Sequence, residues 1–189
     1  IGQLLVGGFE GTTVPSDFAA LVKRGILGGA ILFSRNFSSL EGARDLVSTL
    51  HSLPAPLPLL FAVDQEGGRV QRLRKPFPEL PPMRSVGEKA RKSWIHRTAG
   101  MLARALRTIG FHTDYAPVLD VDSNPDNPVI GDRSFSRDPN QVARLGCAFI
   151  DGMQSEGVAA CGKHFPGHGD TNVDSHFALP SLPHDMDRL

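Results

Sequence analysis

The chain has 189 residues, 40% of them hydrophobic and 21% charged, and its 20 Lys plus Arg balance 20 Asp plus Glu. That composition suits a globular domain with a buried core. The zero formal charge excludes a global field that would draw the chain to nucleic acid or a membrane surface, and no apolar run approaches the roughly 20 residues that span a bilayer.

Taken in order, Leu4-Leu5-Val6 followed by glycines reads as a first short strand. Residues 16–25 read as a helix with Phe18, Leu21 and Val22 on one face and Gly25 as its stop. The apolar run 30–33 predicts a second buried strand. Ser38 and Glu41 form an S-x-x-E capping box for a helix that buries Ala43, Val47 and Leu50. After a Pro-rich connector, 59–63 predicts a third strand ending in Asp64. The basic, Gly-containing stretch QEGGRVQRLRKPF reads as a loop. Residues 69–97 carry nine Lys or Arg against Glu79 and Glu88, which reads as a solvated helical face with a few site residues, or as an anion-contacting surface.

Residues 93–110 place Ile95, Ala99, Leu102, Leu106 and Ile109 on one helical face. Residues 115–121 form a fourth strand-like run ending near Asp120 and Asp122, and a long polar loop, SNPDNPVIGDRSFSR, follows. Asp138-Pro139 caps a helix that buries Val142, Leu145, Phe149 and Met153 and stops at Gly157. Residues 158–161 predict a fifth strand. Cys147 and Cys161 lie in apolar surroundings and read as buried free thiols rather than a disulfide, as in a reducing compartment.

Strands that are uniformly apolar and alternate with helices predict an α/β fold with a parallel sheet covered on both faces. The long polar loops all follow strands, the arrangement of the functional face of a (β/α)8 TIM barrel. Five units are countable, so the chain is either an open five-stranded doubly wound domain or about the first five βα units of a barrel. The tail SLPHDMDRL, which reads as the entry to a further helix, favours the barrel.

The fifth strand opens into KHFPGHGDTNVDSH, where the candidate chemistry is densest. Gly167 and Gly169 allow close backbone approach. Asp64, Arg69, Arg72, Arg133, Lys163 and His164 at strand ends suit a polyhydroxylated ligand, since each hydroxyl donates and accepts. Asp174 and His176 form a D-x-H pair suited to proton transfer. In isolation such a pair is more often a turn residue beside a surface histidine. His164, His168, Asp170, Asp174 and His176 are also ordinary zinc-ligand types, which leaves a metal-dependent barrel hydrolase as an alternative.

With VDQEGGRVQRL at Asp64 and NPVIGDRSF around Arg133, these residues resemble glycoside hydrolase family 3, and are similar to its single-domain bacterial β-N-acetylglucosaminidases. The resemblance runs along essentially the whole chain. It implies a retaining glycosidase that uses no metal or other cofactor. Asp64, Arg72, Arg133, Lys163 and His164 would bind the sugar, with His176 as general acid/base and Asp174 as its partner. The D-S-H element points away from the family's two-domain β-glucosidases. The implied substrate is a muropeptide carrying terminal N-acetylglucosamine, cleaved in cytoplasmic cell-wall recycling by an enzyme that is a monomer when complete and binds neither nucleic acid nor membrane. The family's nucleophilic aspartate lies on a later strand and has no counterpart here. Residues 1–189 therefore read as a single domain, the N-terminal part of a longer catalytic barrel, inert by itself or a non-catalytic sugar-binding module if the complete protein lacks that aspartate.

Overall fold

The computed structural model describes residues 2–89, 91–182 and 185. Five parallel strands lie side by side in chain order: β1 Val6–Gly7, β2 Gly29–Leu32, β3 Leu60–Val63, β6 Thr113–Asp114 and β7 Ala159–Ala160. A small antiparallel pair, β4 Gln65–Gly67 and β5 Val70–Gln71, sits beyond the end of β3. The helices are α1 Ser16–Lys23, α2 Leu40–His51, α3 Met83–Lys89, α4 Lys92–Ile109 and α5 Pro139–Ser155. Sequential parallel order with intervening helices is the architecture of a (β/α)8 barrel wall, as the alternation of elements predicted.

The helices form because each carries one apolar stripe. In α4, Ile95, Ala99, Leu102, Leu106 and Ile109 are buried, and in α5 so are Val142, Leu145, Phe149 and Met153. These helices come close together because Gly152 faces α4: a Cβ there would lie 2.2 Å from the His96 carbonyl oxygen. One continuous core runs from Phe9 through β2 and β3 to Val158. At about 25 cal/mol per Å² of apolar surface removed from water, this burial is the main favourable contribution to folding.

The structure corrects several local expectations. The cap of α2 is Ser39, whose hydroxyl accepts from the Gly42 N–H at 3.0 Å. The helix therefore starts one residue later than the Ser38 box implied, and Glu41 falls too early to close it. The fourth strand pairs only at Thr113–Asp114, with an isolated bridge between Val118 and Lys163. Pro117 supplies no N–H to the ladder. The stretch QEGGRVQRLRKPF after Asp64 is not a plain loop: it contains the β4–β5 hairpin. Cys147 and Cys161 are free thiols but both are exposed. Cys147 shares the outward face of α5 with the exposed Arg144 and Asp151, and Cys161 follows the partly exposed strand β7. Cover of the sheet is likewise incomplete at Leu60, 39% exposed, and at Ala159. The expected helix entry at 181–189 lies mostly outside the described residues.

Candidate active site

The strands all point their C-terminal ends to one side, and the long connections from β3, β6 and β7 meet there. Local chemistry aims each side chain. Gln65 is buried, and its Oε1 accepts the backbone N–H groups of Arg72 and Leu73 at 2.9 and 3.0 Å. That closes the β4–β5 hairpin and brings Arg72 back over Asp64. Asn127 Oδ1 accepts from Val129 and Ile130 at 2.9 and 2.6 Å, while its Nδ2 donates to the carbonyls of His168 and Thr171 at 2.7 and 2.8 Å. One amide thus fastens the NPVIG loop to the KHFPGHGD loop, and the short helical turn Gly131–Arg133 delivers Arg133.

A cavity of about 300 Å³ opens between these loops, lined by Asp64, Glu66, Arg72, Arg133, Lys163, His164, His168, Ser175 and His176, among others. Lys163 Nζ lies 2.8 Å from Asp64 Oδ1 and 2.6 Å from Glu66 Oε1. Arg72 Nη2 lies 3.2 Å from Asp64 Oδ2. Arg133 donates through Nε and Nη2 to the two oxygens of Glu66, both at 2.9 Å. Burial pushes the Asp64 carboxyl up, but the Lys163 and Arg72 cations outweigh it and hold Asp64 below the usual carboxylate range. Burial also disfavours the Arg133 cation, and Glu66 overcomes this and raises its pKa. An ionised Asp64 accepts hydrogen bonds while three cations donate: a surface matched to a ring of sugar hydroxyls.

His164 Nδ1 lies 2.6 Å from Asp120 Oδ2, and the side chain of Asp120 has no solvent exposure. Burial raises the Asp120 carboxyl, yet the hydrogen bonds and charge of His164 and the N–H of His168 hold it low. An ionised Asp120 fixes the His164 ring with Nδ1 as the donor, leaving Nε2 as its other polar atom. On the last loop, His176 Nδ1 and backbone N lie 2.6 and 2.9 Å from Asp174 Oδ1. The Asp174 carboxyl is held low by those bonds, and the His176 side chain is 77% exposed.

The six lining residues singled out from sequence, Asp64, Arg72, Arg133, Lys163, His164 and His176, therefore share one cavity, and Asp174 joins through His176. Arg69 does not line it; its guanidinium is bound to the Val129 carbonyl. Glu66, Asp120 and Ser175 were missed, and His168, which also lines the cavity, was singled out only as a possible metal ligand. Glu66 stood two residues after Asp64 in an extended stretch, the spacing that puts side chains on one face. Within the basic stretch 69–97, Arg72 lines the cavity and Arg84 binds the buried Asp122 at 2.8 Å, joined there by Arg137 from the later polar loop at 3.2 Å. A larger open groove of about 570 Å³ near Trp94 has no carboxylate in its lining. Among the described residues no group of three or more His, Cys, Asp or Glu converges as a metal site. The five candidate ligands are dispersed, with His164 on Asp120, His168 on Thr171 and Ser175, Asp170 on Ser123, and Asp174 on His176.

Comparison with known proteins gives the family of the chain. The beta-hexosaminidase of Nitrosospira multiformis is 44% identical over 177 residues, which cover 90% of this chain and 50% of that protein. A glycoside hydrolase family 3 beta-N-acetylglucosaminidase from Paenibacillus sp. superposes with a TM-score of 0.93 at 40% identity, covering 99% of this chain and 36% of that one. NagZ from Neisseria gonorrhoeae, solved in complex with N-trifluoroacetyl-D-glucosamine, superposes with a TM-score of 0.88 at 34% identity over 97% of this chain and 56% of that one. The chain spans about half the length of the curated relatives it matches. The description "Glycosyl hydrolase family 3 N terminal domain" matches residues 1–189, and the chain belongs to that family.

Proposed function

We propose that these residues form part of the active site of a retaining glycosidase that releases terminal β-linked N-acetylglucosamine from muropeptides, in cytoplasmic cell-wall recycling. The 189 residues act as the N-terminal part of a longer catalytic barrel. The observation that carries the proposal is the convergence on one cavity of a hydroxyl-binding carboxylate and cations, Asp64, Arg72, Lys163 and Arg133, with the hydrogen-bonded pair Asp174–His176. That relatives of this family are named for hexosamine release, and that one was solved with an N-acylglucosamine analogue, supports the substrate class.

The steps balance as a double displacement. A carboxylate attacks C1 as the glycosidic C–O bond breaks, and His176 Nε2 gives its proton to the leaving oxygen. A water then attacks C1, His176 takes the water's proton, and the carboxylate departs. The attacking carboxylate is an aspartate contributed from outside these 189 residues. Asp174 orients the imidazole through Nδ1, keeps the second nitrogen toward the reacting oxygen and stabilises the imidazolium.

The test uses the full-length protein. His176→Ala should lower the rate about 10² to 10⁴-fold on a glycoside with a sugar leaving group, and much less on a nitrophenyl glycoside whose leaving group needs little protonation. Asp174→Asn should reproduce part of this pattern. Equal losses on both substrates, with glycosylation limiting, remove the acid role. Binding of N-acetylglucosamine without turnover would identify a sugar-binding module instead.

A further inference from the structure

The Asp174–His176 pair stands on an exposed loop, and the structure shows what holds it. The backbone N–H of His168 donates to Asp120 Oδ1 at 2.5 Å, which roots His168 in the fully buried carboxylate on the connection that follows β6. Its ring is held on three sides. Nδ1 lies 2.6 Å from the hydroxyl of the buried Thr171, the ring meets that of His164 edge-on at 6.1 Å, and Nε2 lies 3.0 Å from Ser175 Oγ. Ser175 is the residue between Asp174 and His176. Among the described residues, the other hydrogen bonds of 174–178 close within that segment: His176 N and Nδ1 to Asp174 Oδ1, and the Phe177 and Ala178 N–H groups to the Asp174 carbonyl.

We infer that His168 is a positioning residue for the acid/base pair, tying the 174–176 loop to the barrel through Ser175. The inference rests on the acid/base assignment proposed above for His176. A hydroxyl can donate or accept, so either tautomer of His168 satisfies both Thr171 and Ser175, and the tie holds whichever nitrogen carries the proton. The chain of contacts runs from the buried Asp120 carboxylate, through one ring, to the residue flanked by both reacting groups. Fixing a proton donor to within a fraction of an ångström is worth a large factor in rate, since displacement by about 1 Å costs on the order of 10²-fold.

In the full-length enzyme, His168→Ala should lower the rate about 10 to 10²-fold on a glycoside with a sugar leaving group and no more than about threefold on the nitrophenyl glycoside. Ser175→Ala, a change at an exposed residue that leaves the core intact, should act in the same direction. The double variant His168→Ala/His176→Ala should be no slower than His176→Ala alone, because His168 acts only through His176. Amide exchange across 172–178 should quicken in His168→Ala. Unchanged exchange, equal loss on both substrates, or additive effects in the double variant would overturn the inference. If His176→Ala itself fails to discriminate between the two glycosides, the acid/base assignment falls, and exchange at 172–178 still decides whether His168 holds the loop.

Discussion

Arg133 grips Glu66 with two parallel hydrogen bonds of 2.9 Å, and Glu66 in turn lies 2.6 Å from Lys163. The fork is largely shielded from solvent, with 11% of the Arg133 side chain and 3% of the Glu66 side chain exposed. Glu66 is therefore the residue that lets two cations sit together beside Asp64. Removing one partner of a buried pair leaves the other charge uncompensated. Glu66→Ala should destabilise the full-length protein by about 3 kcal/mol, read by urea unfolding, and should weaken sugar binding through disordered Arg133. Arg133→Met in the same background should recover part of the loss. A change below about 1 kcal/mol would mean that solvent already screens the pair.

Asp114 lies at the end of β6, fully buried, with Oδ1 accepting from the Gln65 N–H at 2.9 Å and Oδ2 without a partner among the described residues. Burial, with some help from Asp64 and Glu66, raises its carboxyl to about 7, although Gln65 and Lys163 pull the other way. Between the ordinary carboxylate range and about 7 the unfolded chain has released this proton while the folded chain holds it. Stability from this group is therefore full below pH 4, falls as pH rises, and is gone above about 7, a swing on the order of 4 kcal/mol. Asp114→Asn should remove that slope, so the variant gains on the native protein between pH 5 and pH 8 in denaturant titrations. Parallel stability profiles across that range would show that Asp114 ionises normally.

Gly169 lies where the loop carrying His168 crosses the segment at Val121 that follows β6. A Cβ there would fall 1.7 Å from the Val121 carbonyl oxygen, and backbone cannot yield as a flexible side chain can. Gly169→Ala should displace the loop from Asp120 and Asn127, costing roughly 1 to 3 kcal/mol or more together with most of the activity. Wild-type stability in this variant would show that the two segments separate freely.

Exhaustive chelation should leave the full-length activity intact, since the five His and Asp residues that could serve as ligands are engaged separately and do not converge. Activity lost to EDTA and restored by Zn²⁺ would return these residues to the role of metal ligands.

Much of this protein was legible in its residues. Apolar runs bounded by glycine and polar loops marked four of the five strands, while the fourth pairs at Thr113–Asp114, just before the run 115–121 that was expected to form it; apolar residues at helical spacing marked α1, α2, α4 and α5. Those signals are local, so they survive without knowledge of the fold. The candidate site residues stood out at strand ends, but their expected roles came only from the resemblance to glycoside hydrolase family 3, since D-S-H spacing in isolation is more often a turn residue beside a surface histidine. What only the tertiary structure decided is long-range. Pairing of Glu66 with Arg133 and Lys163 spans 67 residues or more, and no local pattern distinguishes Glu66 from a hairpin glutamate. His168 read from sequence as a possible zinc ligand, and only the fold set its ring between Thr171 and Ser175. The exposure of Cys147 and Cys161 depended on which helical face and which strand edge met the core. Asp114 carries no signal of its own in the sequence, and only complete burial near Asp64, Glu66 and Lys163 makes it a carboxyl that holds its proton. Ionisation and ion pairing are set by what surrounds a group in space, and for these residues the surroundings come from distant parts of the chain.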